Sequence, residues 1–169
     1  MKLRLLFGIL MMALFALVPA SALGTDANGN HNSYIWVVGA DEPGTETAMA
    51  PNGSTITMSG SGILKAGPGH SASGGGTYSL SSGGSGAWTV TGVQGFVSYG
   101  EGIPQGLPGT FGGETKLRIM LDNGDEGVLT IICLLGSPPA GKMESISVIL
   151  GSGGQYTKPV SGDNVFLLA

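Results

Sequence analysis

From residue 34 onward, apolar and polar side chains alternate in short runs broken by Gly, Asn, Asp and Pro. A repeat of two puts successive side chains on opposite faces, which is the signature of half-buried strands. The pattern predicts strands at Tyr34–Val38, Thr55–Ala66, Gly75–Ser81, Ala87–Tyr99, Thr115–Asp122, Gly127–Leu135, Met143–Leu150 and Val165–Leu168. Gly60 and Gly62 inside the second run predict a bulge or bend. Outside the first 22 residues no run sustains a helical period for more than a turn or two. The expected fold class is all-β: one antiparallel sandwich or closed barrel of about eight strands.

The sharpest local signal is LRIMLDNGDEGVLTIICLL, where Asn123-Gly124 marks a hairpin turn. A two-residue loop would set Arg118 opposite Leu129 and mix polar with apolar partners. A three-residue loop, Asn123 to Asp125, pairs Arg118 with Thr130, Ile119 with Leu129 and Leu117 with Ile131, which keeps like beside like. That register places Leu117, Ile119, Leu121, Leu129, Ile131, Cys133 and Leu135 on one face. Ile132 and Leu134 fall on the other, so this strand is expected to be covered on both sides.

Composition adds the setting. Lys2 and Arg4, the uncharged run Leu5–Val18 and the small residues Ala20-Ser21-Ala22 form a three-part secretory signal. Cleavage after Ala22 gives a signal peptide at 1–22, a flexible mature N-terminus at 23–33 and a β-domain at 34–169, which suits a single core. The expected location is secreted, periplasmic or otherwise extracellular. With no cysteine near the cleavage point the chain is not expected to be a lipoprotein, and no later run is long enough to insert in a membrane. The mature chain keeps five basic residues against eleven acidic ones, a net charge of −6 without a basic cluster. That argues against nucleic acid as a partner. The chain holds 32 Gly, ten of them between Gly60 and Gly86, where Ile63, Leu64, Tyr78 and Leu80 punctuate the tract and favour short strands separated by Gly turns. Glu101–Gly113 (EGIPQGLPGTFGG) reads as a loop of the kind that carries function.

Several stretches raise specific chemistry. In LLGSPPAGKM, Gly136, Gly141 and Lys142 carry most of a phosphate-binding loop after an apolar strand. Met143 stands where a metal-binding hydroxyl is needed, Pro138 and Pro139 have no N–H to give, and a strand pattern follows instead of a helix. A strand–loop–strand connection, with Lys142 as a solvated charge, is the better reading. Cys133 is the only cysteine and falls on the core face, as an inert buried thiol does. His31 and His70 are the histidines a copper centre with Cys133 would need. DANGNHN (Asp26–Asn32) alternates oxygen ligands like a calcium loop but lacks its Gly and its Glu. Asp122, Asp125 and Glu126 cluster at the turn tip as solvated turn residues. Asn52-Gly53-Ser54 matches a glycosylation acceptor or a plain turn. No catalytic, cofactor-binding or metal residue is assigned.

Two resemblances accompany these readings. HSASGGGTYSL…GAWTVTG with LRIMLDNGDEGVLTIICLLGSPP…ESISVIL resembles small secreted all-β microbial proteins, a likeness that implies no activity. TYSLSSGGSGAW (Thr77–Trp88) is similar to a stretch of the allene oxide cyclase and dirigent-like barrels, although Thr89-Val90-Thr91 intervenes before the next Gly. That second likeness implies a barrel enzyme or carrier for an apolar small molecule. The residues themselves favour a non-catalytic exported domain that binds an extracytoplasmic ligand or protein, at the Glu101–Gly113 loop or at a barrel mouth, without a cofactor. A structural or surface-assembly role is the third reading.

Overall fold

The computed structural model describes residues 33–41, 43–67 and 69–169. The expected signal peptide, the Asp26–Asn32 stretch and His31 lie outside the described residues, whereas Ser33, expected in the flexible N-terminus, opens the first strand. The fold is all-β and antiparallel. Its strands are β1 (Ser33–Val38), β2 (Glu46–Met49), β3 (Thr55–Lys65), β4 (Ser71–Leu80), β5 (Ser85–Gly102), β6 (Leu107–Leu121), β7 (Glu126–Cys133), β8 (Ser145–Leu150), β9 (Gln155–Tyr156), β10 (Lys158–Ser161) and β11 (Asn164–Leu168). Eleven strands stand where about eight were expected, because β2, β9 and β10 are too short to show a pattern of their own.

Six strands close a ring in the order β3–β4–β5–β6–β11–β1, each bonded to the next and β1 back to β3. β2 and then β10 extend from the first half of β3. β7, β8 and β9 extend from the second half of β6. β2 and β10 pack against β8, so these extensions enclose the other end of the same core. The alternation read from the sequence sets the inward faces: Tyr34, Trp36 and Val38 on β1, Leu117, Ile119 and Leu121 on β6, Leu129, Ile131 and Cys133 on β7, and Ile146, Val148 and Leu150 on β8. Each of the larger side chains gains about 1.5–3 kcal/mol by leaving water.

The centre of the core is a stacked pair, Trp36 and Trp88, with ring centroids 5.7 Å apart and planes 27° apart. The Trp88 indole N–H donates to the carbonyls of Ser59 and Thr77, both at 3.1 Å. Both rings lie against the glycines of β3 and β4. A Cβ on Gly62 would come within 2.5 Å of the Trp36 ring, and one on Gly60 within 2.7 Å of the Trp88 ring. Gly60, Ser61 and Gly62 pair with Gly76, Gly75 and Gly74 without any register shift. The bulge expected at Gly60 and Gly62 is therefore absent; the missing side chains make room for indole rings. The Gly tract does consist of strands separated by Gly-containing turns: Gly60, Gly62, Gly74, Gly75 and Gly76 are paired strand residues, and Gly67, Gly69, Gly83 and Gly84 lie between the strands.

The bulges lie instead in β5. Its pairing with β6 slips at Val90/Gly92, Val93/Gly95, Ser98/Gly100 and Glu101/Gly102. Each slip ends on a glycine, and bulges bend a strand and increase its twist. Eighteen residues can thus wrap part of the ring as one strand.

Two further expectations change. The β6–β7 loop does hold three residues, but they are Asp122–Gly124, so Leu117 faces Leu129 and Arg118 faces Val128. The slip of two positions keeps every side chain on its expected face. Gly124, at φ 86°, closes this turn, and Asn123 Oδ1 accepts the Asp125 N–H at 2.9 Å. The segment Glu101–Gly113 is not a long loop. β5 runs to Gly102, a 3-10 turn spans Ile103–Gln105, and β6 begins at Leu107.

The packing around the tryptophans gives a direct test. Gly62→Ala, whose Cβ would stand 1.9 Å from the Ser73 carbonyl oxygen, is expected to cost at least ~2–3 kcal/mol in urea unfolding. Gly95→Ala, with nothing within 4 Å, is expected to stay within ~0.5 kcal/mol of the parent. Equal costs at the two positions would refute the steric account.

Candidate functional site

The outward residues of β1 and β11 are apolar too. Val37 pairs with Val165, and Ile35 pairs with both Leu167 and Ile63, all pointing away from Trp36 and Phe166. Single-faced strands would carry polar residues there, so this stretch of wall presents an apolar surface on its outside. The turn between β5 and β6 stands over it. The Gln105 side chain clamps the segment that follows β7: its Nε2 donates to the Gly136 carbonyl at 3.2 Å and its Oε1 accepts the Gly136 N–H at 3.1 Å. Glu101 Oε1 accepts the Gly109 N–H at 2.7 Å and holds the other side of the turn. Between turn and wall lies a cleft of about 630 Å³, walled by Val37, Leu107, Leu134, Leu135, Val165 and Leu167. A volume of this order suits a small organic ligand.

One end of the cleft is acidic. Asp41, Glu144 and Asp163 line it, with no Lys, Arg or His among the lining residues. Each acid is placed by backbone bonding. The Asp163 carbonyl accepts the N–H groups of Gly39 and Ala40 at 3.0 and 2.8 Å, which ties the turn after β1 to the turn before β11. The Glu144 carboxylate accepts the Leu134 N–H at 2.6 Å and the Asn164 N–H at 3.0 Å. It closes the gap where β7 and β8 part. Asn164, 2% exposed, donates its amide to the carbonyls of Ile132 and Ser145, both at 3.1 Å.

Behind Asn164 lies a fourth carboxyl, Glu46, 1% exposed at the start of β2. Burial pushes Glu46 up to about 8; the Asn164 side chain opposes the shift and the charges of Glu144 and Asp163 add to it. Burial also pushes Glu144 up to about 7, against the two backbone N–H groups it accepts. Asp163 is raised by burial and then by the Asp41 carboxyl, to which it is hydrogen-bonded. Two carboxyls can bond to each other only by sharing a proton. The Glu46 carboxyl and the Asn164 amide oxygen are buried together, and the proton that Glu46 holds is a donor within that pair. Among the described residues lining the cleft there is no cation beside these carboxyls. The group can accept protons, or it can accept a cation.

The residues singled out in the sequence go elsewhere. Gly136 and Ser137, the start of the phosphate-loop match, have their N–H groups committed to Gln105 and to the Tyr99 carbonyl. Lys142 is exposed, as expected of a solvated charge, but it lies in the turn before β8 and pairs with Glu114, whose Oε2 also accepts the Tyr99 hydroxyl at 3.2 Å. Cys133 is 1% exposed and burial pushes its thiol up to about 12. His70 lies exposed in the β3–β4 turn. Among the described residues no group of three His, Cys, Asp or Glu is arranged to hold a metal. Asp122 and Glu126 are exposed at the turn as expected, and Asp122 and Asp125 also act as ties: Asp122 accepts the Ala87 N–H at 2.9 Å and the Tyr78 hydroxyl at 3.2 Å, and Asp125 accepts the Ser152 N–H at 3.0 Å. Asn52 Oδ1 accepts the N–H and hydroxyl of Ser54 in the β2–β3 turn.

The carboxyls of the cleft were not anticipated, although part of the signal was present. Glu46 alternates with Ala48, and Asn164 with Phe166, so each occupies an inward position of a short strand. Compared with protein-family models, with curated proteins and with solved structures, the chain matches none.

The buried acids set a pH dependence. Glu46 and Glu144 hold protons in the folded chain at pH values where the unfolded chain has lost them, since their ordinary value is 4.5. Their contribution is complete below about pH 4.5 and is lost as pH rises through about 7 to 8. The urea midpoint is expected to fall between pH 5 and 8, and Glu46→Gln to flatten that fall. A parent profile that rises over this range would contradict the assignment.

Proposed function

We propose that this protein is an exported, non-catalytic β-domain that binds a small, mainly apolar ligand in the cleft between the β5–β6 turn and the outer wall of β1 and β11. The observation that carries this reading is where the space lies. Trp36, Trp88, Phe166, Met58 and Leu64, all at most 1% exposed, fill the ring's interior. The cleft of about 630 Å³ lies outside it. A cyclase-like or carrier barrel would keep its ligand where these rings stand, so the filled centre favours an outside site. The only thiol is buried and the cleft presents carboxyls and aliphatic walls, which supports binding over covalent chemistry.

The cleft includes part of the Glu101–Gly113 segment that the sequence favours for binding, through Gln105, Leu107 and Thr110. A tight turn held by Gln105 and Glu101 is a preorganised wall, so little ordering cost attends binding. Leu107 is 47% exposed and can be changed without disturbing the core. Nile red is expected to bind the folded protein saturably at one site, and Leu107→Asn to weaken that binding at least fivefold with an unchanged urea midpoint. Absence of saturable binding, or indifference to Leu107→Asn, would remove the cleft as the site.

A further inference from the structure

We infer that the ligand of this cleft is an amphiphilic amine, a small molecule with an aliphatic body and a protonated amino head, its body against Val165 and Leu167 and its head among Asp41, Asp163 and Glu144. The inference rests on the cleft being a binding site and adds the chemical class of its occupant.

Charge complementarity carries the argument. Three carboxyls stand at one end of an otherwise mainly apolar cleft, and no cation of the described chain lines it. Lys116 and Lys142 are both engaged by Glu114 on β6. The shape of the rest of the cleft is a second observation: Val37, Leu134, Leu135, Val165 and Leu167 line it and suit an aliphatic body. An ammonium brings one positive charge, and three N–H donors for the carboxyl oxygens, to a place whose lining holds no cation. A neutral head brings no charge, and a carboxylate or phosphate head adds to the repulsion.

Binding must then displace protons. The ionisable groups around the head are Asp41 after β1, Cys133 on β7, Glu144 before β8 and Asp163 before β11, with Glu46 on β2 buried behind Asn164, and every one of them is an acid. A cation arriving among them favours their charged forms, so the complex releases protons as it forms. Affinity for the amine is expected to rise with pH between about 5.5 and 8.5, over which a primary alkylamine itself stays protonated. Affinity for a neutral analogue is not expected to rise.

The test uses the full folded chain and three probes with one tail: decylamine, decanol and decanoate, titrated calorimetrically below their aggregation limits. Decylamine is expected to bind at least tenfold more tightly than decanol at pH 8.5, and decanoate more weakly than either. The Asp41→Asn/Asp163→Asn variant is expected to bring decylamine and decanol within threefold of each other while leaving decanol unchanged. Asp41→Asn alone, a change at an exposed turn position, is expected to give part of that loss and covers the case in which the double variant does not fold. Equal binding of the three probes would overturn the amine and leave the apolar cleft standing. Binding of none would overturn both, and tighter binding of decanoate would reverse the sign of the inference.

Discussion

The structure depends on two indole rings having somewhere flat to lie. Trp36 and Trp88 stack at the centre of the ring, and their outer faces need backbone, not side chains, beside them. β3 and β4 supply it with a run of glycines facing glycines across the pair. This arrangement is costly in one sense, because glycine strands lose more chain entropy on folding than any other. Two fully buried tryptophans and a complete ladder of hydrogen bonds offset that cost. The glycines at the centre of β3 and β4 are therefore a packing feature.

From this centre the rest of the wall can be understood. β5 must pass from its partner β4 to the far end of β6, and its four bulges supply the bending. β1 and β11 complete the ring at one end only, beside β3 and β6, and their outer face is left apolar. The β5–β6 turn and the carboxyl group around Asn164 stand at the borders of that face. The cleft is thus a by-product of how the ring closes, and the acids serve two purposes there. Glu144 and Asp163 bond the turns that end the strands, and they give the cleft its sign.

Much of the fold was legible because period-two patterning survives wherever a strand has one buried face. All eight expected strands are present, and the faces of Leu117, Ile119, Leu129 and Ile131 are as the alternation required. Errors arose where glycine carried the information. A glycine has no side chain to alternate, so Gly74 at the start of β4 shows no strand signal, and Gly109, Gly112 and Gly113 made the first half of β6 read as a loop. The hairpin register slipped by two because the faces fix only parity, while the exact loop followed from Gly124 and from the tie between Asp122 and the β4–β5 hairpin. The cleft was the least legible part. Its acids come from four separate turns and strand ends, and only tertiary structure brings Asp41, Glu46, Glu144 and Asp163 to one place.

The pairing of β4 with β5 reaches only from Ser79↔Ser85 to Gly75↔Thr89. Beyond it, Ser71–Gly74 bonds to β3 alone, and β5 from Val90 onward bonds to β6 alone. The ring is therefore a band with an open slit between β4 and β5, besides the two-pair join of β6 to β11. A wall of this kind does not have to break to breathe. Spreading at the slit exposes a few amide groups without unstacking the tryptophans, so slow exchange at the centre and fast exchange along the seam are compatible within one intact molecule.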